Sequence, residues 1–414
     1  MDLPVLAARA VLDRLGAFLD RFAGCFGRRT QREGASRYLQ GMLNDSSRKS
    51  MQPMEARLPL NDAASYQRLQ HFITHSPWSA DPVWTRLREE VPVRHGLLLV
   101  DETSFPKAGT HSVAVARQYC GALGKIANCQ VAVSTALLTD HAVWPTTLEL
   151  YLPHEWADDA DRRDRAGIPR RVRFREKWRL ALTHIRQVRA TSLQLDAVLA
   201  DAAYGNVHAF RTALDRMGLR YAVGVGTQLT VQIRGGRRRL RISRIRRRLP
   251  TRAWRRVCWA QGTKGPLAAR FAALRVQPAP HSPEGWLLCE RPVTSRGERK
   301  AYLLNLPASA SLKALVRLAR SRWPIEQQYR ELKDELGLDH FEGRSYRGWN
   351  HHAVLAALTF TFLQRERQRG TQPLPTFPQV RNWIREIVTA LFLLERPEWL
   401  KLLISFLNNP PLRI

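Results

Sequence analysis

The run Leu195-Asp196-Ala197-Val198-Leu199-Ala200-Asp201 is apolar at almost every position and ends on a carboxylate. A strand with one wet face alternates apolar and polar residues. One that is apolar on successive residues is dry on both faces, the pattern of a parallel pair covered by helices. A second run of this kind, Gly96-Leu97-Leu98-Leu99-Val100-Asp101, also ends on an aspartate. A third acid, Glu326, lies in Arg322-Trp323-Pro324-Ile325-Glu326, which opens a helix. At helical spacing Arg322, Glu326, Arg330 and Lys333 fall on one face. Two strand-end aspartates and a helix glutamate among cations suit a group that holds a metal ion beside a phosphodiester.

Composition points the same way. The 414 residues carry 66 Lys and Arg against 36 Asp and Glu, a net charge of +30, and 44% are hydrophobic. That combination describes a folded chain with a substantial core and a polyanionic partner, DNA or RNA before a membrane surface. The longest apolar stretch, Ala353 to Leu363, is too short to span a bilayer and reads as a core helix. No basic segment followed by an apolar run marks a secretory leader near Met1-Asp2-Leu3-Pro4. Cys25, Cys120, Cys129, Cys258 and Cys289 form no CxxC pair, which argues against a zinc knuckle. The expectation is a reduced, cytoplasmic, bacterial protein associated with the nucleoid.

The texture of the chain divides it. Residues 1–94 read as a helical N-terminal domain, with Val11, Leu15, Phe18 and Phe22 on one apolar face and Tyr38, Leu39, Met42 and Leu43 on another. Its basic residues, Arg28 to Lys49, suit either a DNA-binding or a merely solvated surface. Residues 95–226 read as an α/β unit: strands at Leu97–Val100, Gln130–Leu138 and Val143–Leu152, a basic helix at Phe174–Ala190, a strand at Leu195–Ala200, a helix at Val207–Met217 and a strand at Tyr221–Val225. That order describes a mixed sheet with helices on both faces. Residues 227–301 read as a basic, β-rich insertion, with Arg237, Arg238, Arg239, Arg244, Arg246 and Arg247 as backbone-binding candidates. Trp254, Trp259 and Trp286 are candidates for stacking on an unpaired base, Trp286 foremost, although core packing serves each of them as well. Residues 302–365 return to the core with the glutamate helix, and residues 366–414 form a helical C-terminal region with an interruption at Pro397 in the run from Trp383 to Leu407.

Each acid also has an ordinary structural role open to it. Asp101 suits a turn cap, Asp201 a helix N-cap, and Glu326 a pairing with Arg322 or Arg330. Their joint placement on matching elements favours the catalytic reading. Glu102 is a poor substitute for Asp101, because neighbouring strand residues face opposite sides. His340, His351 and His352 follow the glutamate helix and suit structural roles at least as well as proton transfer.

Several longer blocks carry a resemblance. They are Leu99-Val100-Asp101-Glu102-Thr103-Ser104-Phe105-Pro106-Lys107-Ala108-Gly109, then Arg117-Gln118-Tyr119-Cys120-Gly121, Gly124-Lys125-Ile126-Ala127-Asn128-Cys129-Gln130 and Ala200-Asp201-Ala202-Ala203-Tyr204-Gly205. Arg322 to Lys333, Leu336 to Arg344 and Gly348 to His352 complete the set. In these blocks the chain resembles DDE transposases of the IS4-like superfamily, IS701 type. The resemblance implies an RNase H-like mixed-sheet core interrupted by a β-rich insertion and flanked by helical regions. It implies Asp101, Asp201 and Glu326 as catalytic ligands of Mg²⁺, with Mn²⁺ able to substitute. It also implies metal-dependent strand cleavage and 3′-OH strand transfer on double-stranded DNA, by a homodimer assembled on transposon ends and target. Arg322, Glu326 and Lys333 match the arginine, glutamate and lysine of a Tyr-Arg-Glu-Lys signature, but Ala319 stands where the tyrosine is expected. Tyr329 is then the residue to take over a phosphate contact, beside Arg322, Arg330 and Lys333. The readings that compete are another RNase H-like nuclease, an inactive domesticated DNA-binding protein and, more weakly, a two-carboxylate glycosidase, which the charge of +30 disfavours.

Overall fold

The computed structural model describes residues 3–396, apart from residues 47, 59–63, 141, 263–264, 294–298 and 370–372, together with residues 398, 401 and 404. The expected break at Pro397 and most residues from there to Leu407 lie outside the described residues. Helices come first: α1 (Leu3–Asp20), α2 (Arg29–Leu43), α3 (Met51–Glu55), α4 (Ser65–Thr74) and α5 (Ala80–Glu89). The Ser79 hydroxyl caps α5 by accepting from the Asp81 N–H, as the Ser-Ala-Asp-Pro start signal predicts. Strands β1 (His95–Pro106), β2 (Ala116–Cys120), β3 (Lys125–Leu138) and β4 (Val143–Leu150) follow, then helices α6 (His154–Ala157), α7 (Ala160–Ala166) and α8 (Lys177–Arg189). Next come β5 (Gln194–Ala200), α9 (Ala202–Gly205), α10 (His208–Arg216) and β6 (Tyr221–Gly224).

The basic stretch after β6 is ordered structure: a hairpin of β7 (Thr230–Ile233) and β8 (Arg239–Arg241), then helix α11 (Ile242–Arg248). Strands β9 (Arg255–Gly262), β10 (Gly265–Gln277), β11 (Gly285–Arg291) and β12 (Ala301–Leu304) lead to α12 (Leu312–Arg320) and α13 (Pro324–Arg330). A π-helical turn over Glu331–Glu335, then α14 (Tyr346–Gln368) and α15 (Phe377–Glu395), complete the order.

Among the described residues these strands form one sheet, in the order β2-β3-β1-β5-β6-β12-β11-β10-β7-β8, with β4 also on β3 and β9 also on β10. Strands β1, β5 and β6 are parallel to one another. Strand β12 runs antiparallel to β6 and joins the inserted strands to the core sheet edge to edge. Two expectations need correction. Strand β1 does not stop at Val100 but pairs with β3 through Pro106. Strand β2 is absent from the sequence reading because its Arg117, Gln118 and Tyr119 are not buried, and it lacks the apolar run that marks the inner strands.

Alternation along the strands divides the core into two layers. Val100, Val198, Val223, Leu287 and Leu303 pack beneath α8, α10 and α11. Leu99, Leu199, Ala222, Leu288 and Leu304 pack beneath α12 and α13. A third core surrounds α14, whose residues from Ala353 to Gln364 are all buried, as a helix apolar all round requires. Side chains from α1, α2, α4, α5 and α15 close around it, so the N-terminal helices share their core with the C-terminal ones.

The paired histidines of α14 are structural. His351 is stacked on Trp78, with Nδ1 2.8 Å from the Ile73 carbonyl and Nε2 2.8 Å from the Trp78 carbonyl. His352 lies 2.8 Å from the Tyr38 hydroxyl. Burial pushes both imidazoles down to about 4. Because the folded values lie below the unfolded one, the stabilisation is fully present above about pH 6.5 and is lost as pH falls towards 4. His352, whose hydroxyl and carbonyl partners suit the neutral ring, is therefore expected to remove about 2 kcal/mol of stability by pH 5, and His351, with a carbonyl at each nitrogen, less. Thermal unfolding between pH 7 and 5 measures this, and a melting temperature that stays flat across that range would contradict it.

Candidate active site

The parallel register places the two aspartates. Pairing between β1 and β5 ends at Val100 opposite Ala200, so Asp101 and Asp201 are the next residues on neighbouring strands. Adjacent strands lie about 4.8 Å apart. Both residues keep the parity of Leu99 and Leu199, so both face the α12 and α13 layer. Asp101 is buried, and one of its oxygens accepts from the Glu102 N–H at 2.9 Å. Asp201 caps α9 by accepting from the Ala203 N–H at 2.9 Å, so the capping role and the site role coexist. Glu102 faces the opposite layer and pairs with Lys177 of α8 at 2.8 Å, as its parity predicts.

Glu326 stands in the first turn of α13, across from the aspartates. The Arg322 guanidinium joins the two sides. One nitrogen donates to Asp101 Oδ2 and the other to Glu326 Oε1, the latter at 2.5 Å. Burial works against the Arg322 charge, but Asp101, Glu326 and Asp201 together hold its pKa above the ordinary value. Asp101 is pushed up to about 7, first by burial and then by Asp201 and Glu326, against the pull of Arg322. The cluster thus carries more negative charge than one guanidinium balances.

Among the described residues no three His, Cys, Asp or Glu side chains are gathered closely enough to enclose one ion. Here the Arg322 guanidinium bridges Asp101 and Glu326. The donor set nevertheless suits a hard divalent cation, since it offers carboxylate oxygens and neither thiol nor imidazole.

The expected cation stripe is only partly present. Arg330 is exposed, with Gln327 Oε1 as a partner at 3.3 Å. Lys333 turns inward instead, donating to the Ser104 carbonyl at 2.9 Å above the Phe105 ring. The π-helical turn from Glu331 explains this, because its wider i to i+5 winding takes Lys333 off the face set by the preceding α-turns. Tyr329 is also turned inward, its hydroxyl against Ser134 Oγ beneath the sheet, and is not presented to a phosphate. Tyr329→Phe is accordingly expected to cost about 1 kcal/mol of stability and to leave the salt dependence of DNA binding unchanged. A flatter salt slope in that variant would restore the contact to Tyr329.

The insertion's arginines lie away from the acids. Arg237 and Arg238 are exposed in the β7–β8 turn, while Arg239 is tied to the Thr230 and Pro278 carbonyls. Arg244 and Arg247 are exposed on α11, and Arg246 reaches the Arg299 carbonyl. Trp286 donates to the Pro307 carbonyl at 3.0 Å with Arg275 over its ring, and packs against the α12 layer. Lys49, in the N-terminal basic set, is buried with its ammonium on the Asn44 carbonyl.

Residues 21–266 match the family described as DDE superfamily endonuclease. The chain belongs to this family. Residues 175–362 of the DDE chain also match the transposase DDE domain. Over 205 residues it is 31% identical to the "Probable transposase for insertion sequence element IS701" of Microchaete diplosiphon, a match covering 48% of this chain and 50% of that protein. The chain therefore spans about half the length of the curated relative it matches. Its large mixed sheet, with helices at both ends, is consistent with an RNase H-like DDE transposase fold. No helix among the described residues is long and apolar enough to cross a membrane.

Two residues that the sequence reading passed over help to place Asp201. Gly205 and Gly224 let α9 lie against the β6 backbone, since a Cβ on Gly205 would fall on the Gly224 carbonyl and one on Gly224 would approach the Ala202 nitrogen and the Asp201 carbonyl carbon. The available signal was a glycine at the end of each of two apolar blocks, Ala200–Gly205 and Tyr221–Gly224.

Proposed function

We propose that the protein is the DNA transposase of an insertion sequence, which binds terminal inverted repeats, cleaves them in a Mg²⁺-dependent reaction and joins the freed 3′-OH to target DNA. The observation that carries this reading is the level placement of Asp101 and Asp201 on adjacent parallel strands, facing Glu326 across the Arg322 bridge. A pair of divalent cations on these carboxylates, Mg²⁺ or Mn²⁺, would neutralise charge around the phosphorus undergoing in-line displacement. Asp101 and Asp201 are held at adjacent strand ends, and Arg322 would have to release Asp101 to open its Oδ2 to a cation. Arg322, freed from one acid, would contact a phosphate, and exposed Arg330 would contact its neighbour. Arg237, Arg238, Arg244 and Arg247 would hold backbone at a distance from the acids. The active form is read as a homodimer on double-stranded DNA, in the bacterial cytoplasm at the nucleoid.

An excision assay tests the proposal. Purified protein and Mg²⁺ act on a plasmid carrying the native flanks, beside Asp201→Asn and Glu326→Gln. Metal-dependent release by the wild type, lost in both variants, is expected. Cleavage that persists in the variants would remove these ligands. Binding without cleavage would favour an inactive DNA-binding derivative, and cutting without joining another RNase H-like nuclease.

A further inference from the structure

We propose that the chain carries a second DNA site, an arginine-lined cleft on the opposite face of the sheet from the acids, which grips the backbone of a duplex segment other than the one being cut. This inference rests on the transposase reading and adds a location and new residues to it. The cleft lies between the β7–β8 hairpin, α11, and strands β10 and β11, with a volume of about 1300 Å³. Eight arginines line it, and none of its described lining residues is acidic.

Several arginines outside the cleft are paired with acids, Arg322 with Asp101 and Glu326, Arg320 with Glu290 and Arg275 with Glu284, while buried Arg88 and Arg211 donate to the Thr146 and Gly205 carbonyls. Arg241, Arg244, Arg247 and Arg270 form no ion pair with a carboxylate among the described residues. Crowded like charges repel one another, and an anion relieves that cost. The planar guanidinium fork matches phosphate oxygens. Trp254 lies under the Arg291 guanidinium at 4.4 Å and holds it flat in the wall. The space exceeds the range of about 300–1,000 Å³ usual for small-molecule sites, and its lining is cationic. That combination fits a stretch of polyphosphodiester better than a single anion.

Parity fixes which way the cleft opens. Arg270 shares the parity of Leu274 and Val276, and Arg291 that of Leu287 and Cys289, all on the α8, α10 and α11 side. The Asp101 and Asp201 side chains face the α12 and α13 side with Leu99 and Leu199. Strands β6, β12 and β11 separate β5 from β10, which places the cleft about 20 Å sideways as well. A strand lying at the acids would have to round the sheet to reach Arg270, so the cleft serves a separate segment.

Stoichiometry of binding to short duplexes in excess, measured by sedimentation, tests this. The wild type is expected to hold two duplexes per chain, Arg270→Glu/Arg291→Glu one, and Asp201→Asn two. Arg244→Glu/Arg247→Glu, on the exposed side of α11, should behave alike and guards against misfolding of the first pair, with thermal unfolding run on both. One duplex per chain in the wild type, or two in every variant, would overturn the proposal. If the wild type cuts its flanks but holds a single duplex, this site alone fails. If it neither binds nor cuts, the transposase reading fails and takes the site with it.

Discussion

Asp101→Asn is expected to reduce metal-dependent strand cleavage by at least ~10³-fold, about 4 kcal/mol of barrier. The amide keeps the shape of the side chain but gives up its charge and one acceptor oxygen. That loss falls on the most buried member of the acid set, the one whose carboxyl is pushed up to about 7 by burial and by its acidic neighbours. Asp201 and Glu326 cannot replace it, since one is fixed on the next strand as the cap of α9 and the other stands beyond Arg322 on α13. A readout independent of turnover is the thermal shift on adding Mn²⁺. Metal that binds only the folded chain stabilises it by about 2.7 kcal/mol at a hundredfold excess over the dissociation constant. The wild type should show that shift and Asp101→Asn should lose most of it. A variant that cleaves within tenfold of the wild type, with an unchanged metal shift, would take Asp101 out of the ligand set.

What could be read from the sequence followed the physics of each element. The successive apolar residues of Leu195–Ala200 announced a buried strand of the parallel kind, Leu97–Val100 announced a strand, and β5 and β1 run parallel as neighbours. Ala353–Leu363 announced a core helix, and α14 is buried on all sides. The acids were legible because strand ends and a helix opening are visible locally. Their pairing was not, because it depends on register between strands about a hundred residues apart in sequence. The extent of β1 was hidden because Glu102, Thr103 and Ser104 are polar, yet β3 supplies their ladder bonds. The inward turn of Lys333 was hidden for another reason: spacing arguments assume 3.6 residues per turn, and a π-helical turn breaks that assumption without any marker in composition. The inserted strands read as a β-rich insertion, and what composition did not show is that hydrogen bonding through β12 continues the core sheet into them. That continuity is what carries an arginine-lined cleft to the far face.

Gly205→Ala should damage both stability and chemistry although residue 205 bears no functional group. In most helices the change gains up to about 1 kcal/mol through helix propensity. Here the added methyl would land on the Gly224 carbonyl oxygen, a backbone atom that cannot swing aside like a side-chain tip. Overpacking of this kind costs about 1–3 kcal/mol, and overlap with backbone places this site at the upper end. The strain has one short path of relief, which is to lift α9 from β6. Helix α9 starts at Ala202, is capped by Asp201, and is followed by Asn206, whose side chain accepts from the Gly226 N–H at 2.8 Å. Lifting it therefore moves the Asp201 carboxylate away from the level of Asp101. A displacement of about 1 Å at a reacting centre costs on the order of 10² in rate. The expected result is a net loss of about 2–3 kcal/mol in chemical denaturation, with cleavage lowered ~10²-fold at a temperature where the variant is still folded. Gly218→Ala supplies the control, because that glycine has a φ of +67° and no neighbour within 4 Å, so its cost is backbone strain without displacement of the site. If Gly205→Ala lost stability but cleaved like Gly218→Ala, close packing of α9 on β6 would be a matter of folding alone, and the placement of Asp201 would have to come from its strand.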